Sequence, residues 1–235
     1  MSRVSDFVEE VDQTLAANQN EENQKQMEAY MKNHFSFYGI KSPERKQILA
    51  PILKEYRNIT EEERLEASLE LFQKPARECQ YAALALLEKG KKKTPEHAID
   101  VYKELLMTKS WWDTVDMIAS HLCGAYFQKY PDKLHPYTEE WRHHDDMWVR
   151  RSSVLHQLKY KGDTDEKLLF ETITVLKDEK EFFIEKAIGW ALREYSKTNP
   201  TAVIEFLERT DCRPLSRREG LKWLKNKHPE LLQLT

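Results

Sequence analysis

Four stretches, QYAALALLEK (80–89), VDMIASHLCG (115–124), RRSSVLHQLK (150–159) and EKAIGWALRE (185–194), each begin 35 residues after the one before. Stacked in register, they place Ala82, Met117, Ser152 and Ala187 in one column and Ala83, Ile118, Ser153 and Ile188 in the next. Leu87, Leu122, Gln157 and Leu192 form a third. Small and apolar side chains return after four and five residues, the stripe of a helix and not the alternation of a strand. A fixed period of this length is the signature of stacked helical repeats.

The segments between repeat too. TEEERLEASLELF starts at Thr60, PEHAIDVYKELLM at Pro95, YPDKLHPYTEEWR at Tyr130, DEKLLFETITVLK at Asp165 and PTAVIEFLERT at Pro200, again 35 residues apart. Thr60 with Glu63 reads as a capping box, Asp165 as an N-cap, and Pro95 and Pro200 as first-turn prolines. Ile99, Leu134, Leu169 and Ile204 make an apolar column. Each unit is then helix, turn, helix, unable to bury its stripe alone and completed by its neighbours. The expected fold is all-α: a single right-handed HEAT-like α-solenoid over 1–235. Residues 1–50 form N-terminal capping helices and 51–235 the repeats of about 35 residues. Second helices near 78–89, 113–127, 148–160 and 183–196 should line a concave groove.

Composition agrees. Of 235 residues, 33% are charged, with only six glycines and nine prolines, which suits helices better than a loop-rich β protein. Three separated cysteines (Cys79, Cys123, Cys212) indicate neither a disulfide framework nor a zinc site. The N-terminal MSRVSDFVEEVDQTL lacks a signal-peptide pattern, and no apolar run is long enough to span a bilayer. The expectation is a protein of the bacterial cytoplasm, with no membrane, metal or cofactor requirement. Net charge is −3, but unevenly spread. Residues 1–30 carry seven acidic side chains against two basic ones, and residues 186–227 carry ten basic against five acidic. The second stretch, with Lys186 and Arg193 at its start, suits a polyanion.

In a true repeat, residues 35 apart occupy equivalent places, so Tyr81, Asp116, Arg151 and Lys186 form a row. Trp112 lies one turn before Asp116, and Trp190 one turn after Lys186; residues four apart share a helix face. A carboxylate, a guanidinium and two indoles converge. Aromatic faces attract cations, and a carboxylate beside them stabilises developing positive charge. Arg151, expected to stand away from the carboxylate, suits a phosphate. Singly, each residue is as well explained by core packing or an ordinary ion pair; the constellation points to a site.

At these residues the chain closely resembles the DNA alkylation repair glycosylases of the AlkD family. The resemblance rests on TKSWWDTVDMI (108–118), WVRRSSVLHQLKYK (148–161), EFFIEKAIGWALREY (181–195) and EAYMKNHFSFYGI (28–40), and it covers nearly the whole chain. It implies HEAT-like repeats and hydrolysis of the N-glycosidic bond of N3- and N7-alkylated purines in double-stranded DNA, by a monomer. It further implies that Asp116 is the catalytic carboxylate, Trp112 and Trp190 flank the lesion nucleotide, Arg151 contacts the backbone and Tyr30 lines the site.

Other features carry less. His143, His144, Asp145 and Asp146 imitate metal ligands, but adjacent residues on a helix diverge by about 100°, so an inter-repeat turn is expected. In SRREGLK (216–222), Ser216 and Glu219 read as a helix start that presents Arg217 and Arg218 to a phosphate. The competing functions are a non-catalytic scaffold for nucleic acid or protein, and a damage sensor without hydrolysis. Neither requires Asp116.

Overall fold

The computed structural model describes residues 2–232, and among these the chain is helical throughout; the sole extended pairing is a parallel bridge between Ser36 and Ala76. It divides into two compact units, residues 1–109 and 110–235.

The first unit contains α1 (Arg3–Ala17), α2 (Glu21–Tyr30), α3 (Ser42–Glu55), α4 (Glu61–Gln73), α5 (Arg77–Gly90) and α6 (Ala98–Met107). In this unit α1 packs on α3, α4 and α5. Thr60 and Glu63 form both halves of the capping box. Pro95 lies short of its helix, which begins at Ala98, so the first turn there is a loop instead. Between α2 and α3, Gly39 has φ +87°, and a Cβ there would lie 2.1 Å from the Asn20 carbonyl oxygen. Glycine is required, and it lets the fully buried Glu78 carboxylate accept the amides of Tyr38, Gly39 and Ile40 at 2.9–3.0 Å. A buried carboxylate given three donors is one whose lone pairs are satisfied.

The second unit opens with α7 (Trp112–Met117), which runs without interruption into a π-helical turn (Ile118–Cys123) and α8 (Gly124–Lys129). Then come α9 (Pro131–Arg142), α10 (Met147–Leu155), α11 (Glu166–Leu176), α12 (Phe182–Tyr195), α13 (Pro200–Arg209) and α14 (Pro214–Lys227). Asp165 caps α11 by accepting from the Leu168 amide, and Pro200 opens α13, both as expected. The repeat columns supply the core: Ile118, Ala187 and Leu192 are fully buried, and Ile188, Leu122 and Ser153 nearly so. Two positions depart. Met117 and Leu134 are half-buried, and in α9 Trp141 and Thr138 take the inward face instead.

The most extensive packing in the second unit is α12 against α14. It depends on Gly189, where a Cβ would lie 2.5 Å from Glu219 Cβ and 3.1 Å from the Ser216 carbonyl oxygen. Those neighbours cannot give without moving α14. Gly189→Ala should therefore destabilise the protein by about 1–3 kcal/mol, the scale of overpacking, which outweighs alanine's gain of about 1 kcal/mol in helix propensity. Gly162, with nothing within 4 Å of its Cβ position, is the control, and Gly162→Ala should be neutral. Urea denaturation of both variants checks this; equal midpoints would remove the argument for close helix contact.

Candidate active site

Asp116 lies in the last turn of α7, two residues before the π-helical turn begins, and the Ser120 hydroxyl donates to the Asp116 carbonyl at 2.6 Å. Widened turns of this kind interrupt the regular helix ladder and recur at functional positions. The Asp116 side chain faces Arg151 of α10. Arg151 Nε donates to Oδ1 at 2.8 Å and Nη2 to Oδ2 at 2.9 Å, a bidentate fork. Arg151 Nη1 donates to the Phe183 carbonyl of α12. The Arg151 side chain is 5% exposed and the Asp116 side chain 17%.

This corrects the expected place of Arg151. It stands against the carboxylate and not apart from it, buried, with three of its five N–H bonds directed at Asp116 and Phe183. A guanidinium so occupied is an anchor for the carboxylate, and two of its N–H bonds remain for the phosphate contact expected of it. The row of equivalent positions is nonetheless real: Asp116 and Arg151, 35 residues apart, touch.

Behind the pair lies an aromatic cluster that the sequence reading did not single out. Trp111 sits 5.8 Å from Trp148 and 5.1 Å from Phe183, ring centre to ring centre, and Trp148 sits 4.9 Å from Phe183. Arg151 lies over the Phe183 ring at 5.8 Å. The doubled tryptophan in SWWD thus divides its work: Trp111 packs behind the guanidinium, while Trp112 faces the cleft. The signal available in sequence was Trp148, one turn before Arg151.

In front of the pair is a cleft of about 310 Å³ lined by Trp112, Asp116, Arg151, Phe182, Phe183, Lys186, Trp190, Arg193 and Glu219. Both tryptophans of the expected constellation therefore share one cavity with the carboxylate, as do Lys186 and Arg193. Lys186, Trp190 and Arg193 follow each other at four and three residues along α12, one face of the helix. Glu219 of α14, read in sequence as part of a helix cap, instead reaches α12: Lys186 Nζ is 3.2 Å and Arg193 Nη1 3.4 Å from its Oε2. Ser216 is inside α14, which begins at Pro214 with Arg213 before it, and its hydroxyl donates to the Glu185 carbonyl at 3.0 Å. Arg217 and Arg218 are both exposed, and Arg217 donates to the Leu207 carbonyl. Tyr30 ends α2 in the first unit and is 71% exposed.

Burial, Arg151 and the nearby Asp113 charge all act on the Asp116 carboxyl, Asp113 adding least and in the same direction as burial. Burial raises its pKa, and the Arg151 hydrogen bonds and charge lower it; burial is the larger, so the carboxyl titrates above the usual aspartate range. Of the imitation metal cluster, Asp146 caps α10 by accepting from Trp148 and Val149, His144 Nδ1 accepts the Asp146 amide, and His143 pairs with Glu139. No group of three or more potential metal ligands occurs among the described residues, and no helix among them is long and apolar enough to cross a membrane.

The sequence profile of a family described as DNA alkylation repair enzyme matches residues 11–224. Among solved structures, a predicted DNA alkylation repair enzyme from Enterococcus faecalis is similar at a TM-score of 0.83 and 34% identity, over 88% of this chain and 96% of that one. AlkD2 from Streptococcus mutans is similar at a TM-score of 0.61 and 18% identity, over 85% and 98% of the two chains; at that identity the likeness is one of fold. No curated protein matches.

The ion pair yields a stability prediction with a definite sign. Arg151→Met removes both influences that lower the Asp116 pKa, leaving burial and the Asp113 charge, so the carboxyl should titrate higher still. At neutral pH the variant must bury an uncompensated charge, at a cost of about 3 kcal/mol. A carboxyl with a raised folded-state pKa favours the fold when protonated and loses that stability as pH rises through the folded-state value. The deficit of Arg151→Met should therefore shrink as pH falls. Urea denaturation across the acid range measures it, and a deficit independent of pH would dissociate Arg151 from the charge of Asp116.

Proposed function

The chain belongs to the DNA alkylation repair enzyme family, and we propose that it is a DNA glycosylase, hydrolysing the N-glycosidic bond of N3- and N7-alkylated purines in duplex DNA. The observation that carries this reading is the cleft itself: the Asp116 carboxylate, clamped by a guanidinium, lines a cavity shared with two indoles, two further cations and Glu219.

The chemistry fits the lesion. Alkylation at N3 or N7 makes the purine cationic. When the C1′–N bond breaks, its electron pair returns to the base, which departs neutral without needing a proton. The sugar is left oxocarbenium-like, the transition state met in glycoside hydrolysis. Each Asp116 oxygen gives one lone pair to Arg151 and keeps another for the cleft. Those remaining lone pairs stabilise charge at C1′ and orient a water, whose oxygen bonds to C1′ and whose proton leaves to the carboxylate or to solvent. No second carboxylate and no Schiff-base lysine is required. Trp112 and Trp190 present π faces to the cationic nucleotide. Lys186 and Arg193 supply attraction for its flanking phosphates, and Arg218 and Tyr30 further contact surface.

In this scheme Arg151 serves the carboxylate first and has two N–H bonds left for a backbone phosphate. It fixes the rotamer of Asp116 and opposes the effect of burial, which favours the ionised form of the carboxylate. The reaction proceeds without a cofactor, in the cytoplasm, with the protein as a monomer.

Asp116→Asn tests the reading. The amide preserves shape and one acceptor for Arg151 but loses the charge that matters as the bond breaks. Single-turnover release of N7-methylguanine from a methylated duplex should fall by about a hundredfold or more, while affinity for an abasic duplex should hold or rise slightly. Loss confined to the rate is what transition-state stabilisation requires. Trp112→Ala and Trp190→Ala should each cost less, on the order of 1–2 kcal/mol. Excision by Asp116→Asn at the wild-type rate would refute the catalytic role and favour a damage sensor or scaffold.

A further inference from the structure

Glu219 is the one acid that α14 contributes to the cleft. Its side chain is 14% exposed, against 37% for Lys186 and 28% for Arg193, and a single oxygen, Oε2, meets both cations. Lys186 and Arg193 flank Trp190 along one face of α12, so Glu219 draws the two charges together across the indole that lies between them. The contact is built into the backbone: Gly189, between the two cations, is where α14 comes closest, and the atom that a Cβ at Gly189 would strike is Glu219 Cβ. Burial raises the Glu219 pKa, but the Lys186 hydrogen bond and the surrounding cations outweigh it, and the carboxyl titrates below the usual range. It is a carboxylate at neutral pH.

We propose that Glu219 is a positioning and charge-setting residue of the cleft: it gathers Lys186 and Arg193 into one grip for a single phosphodiester beside Trp190, and it cancels one of their two charges. The inference rests on the glycosylase reading above. The reaction asks opposite things of one small cavity. It must hold an anionic backbone, yet it must also accept a cationic base and a sugar that becomes cationic. Asp116 is already neutralised by Arg151, so without Glu219 the cleft would carry two uncompensated positive charges next to the reacting nucleotide. With it, one remains. Attraction for phosphate is kept, and repulsion of the cationic lesion is halved.

The test is Glu219→Gln in the full-length protein, with Glu219→Ala beside it. Glutamine keeps the volume packed on Gly189 and removes only the charge. Lys186 and Arg193 should then separate and reach different phosphates. Affinity for undamaged duplex should rise, and the slope of log affinity against log salt should steepen by roughly one unit, the contribution of one added phosphate contact. Single-turnover excision of N7-methylguanine should slow on the order of tenfold, the scale of one extra unit charge close to the oxocarbenium. If Glu219 only packs helices, Glu219→Gln keeps both slope and rate, Glu219→Ala alone loses stability, and the proposal is overturned. A steeper slope with an unchanged rate overturns its tie to the reacting nucleotide. The slope is read on undamaged DNA, so it tests Glu219 even if the wild-type protein releases no base. That result would sink the glycosylase reading and leave the cation grip standing or falling on the slope alone.

Discussion

The cleft is organised around a buried carboxylate and the guanidinium that answers it. Taking Asp116 out of water is costly, and the cost is tolerable only because Arg151 answers both oxygens with a matched pair of N–H donors. Removing the partner, not the pair, is the expensive change. The guanidinium in turn needs its own support, which comes from the Phe183 carbonyl and ring, and that ring packs on Trp111 and Trp148. The pair therefore ties α7, α10 and the start of α12 into one arrangement. A hydrophobic isostere could hold the helices equally well. What the ion pair adds is an oriented negative charge facing a cavity.

That the pair joins residues 35 apart follows from the repeat. Equivalent positions on successive second helices are neighbours, so a row of side chains in sequence becomes a row in space. This much was legible without coordinates: the helical stripes, the Thr60–Glu63 box, the Asp165 cap, and the meeting of Asp116 with Trp112 and Trp190 in one cavity. Periodicity reports which residues share a face, because that depends only on the rise and rotation of a helix. It does not report where a long side chain ends. Arg151 could reach outward to an anion or sideways to its neighbour's carboxylate. The second is favoured because the site is buried and an unpaired charge there would be intolerable. Likewise Ser216 and Glu219 have the spacing of a cap, but Pro214 starts the helix earlier and both side chains turn to α12.

The same distinction between count and placement changes the meaning of the basic C-terminal stretch. Its surplus of positive side chains is not all available to a polyanion. Arg213 meets Glu185 at 3.1 Å, Arg217 is bound to the Leu207 carbonyl, and Lys186 and Arg193 share Glu219. Lys222, Lys225 and Lys227 are exposed, as Arg218 is. The stretch thus serves two purposes. Part of it cross-links α12, α13 and α14, and part provides a cationic surface whose strength falls with salt.

A cavity for a cationic lesion on an anionic polymer cannot simply maximise positive charge. Long-range attraction needs a surplus of cations at the surface, whereas the bond-breaking step needs negative charge within a few ångströms of the sugar. The structure separates these demands by depth. Lysines and Arg218 stand exposed along α14; at the cleft each cation is met by an acid, Arg151 by Asp116 and the Lys186–Arg193 pair by Glu219. Screening by salt weakens the outer set far more than the inner one, because only the outer set is fully hydrated. On the proposed function, attraction of the polymer and stabilisation of the transition state are carried by different residues. They can be altered independently because no single side chain is asked to be strongly positive toward phosphate and strongly negative toward C1′.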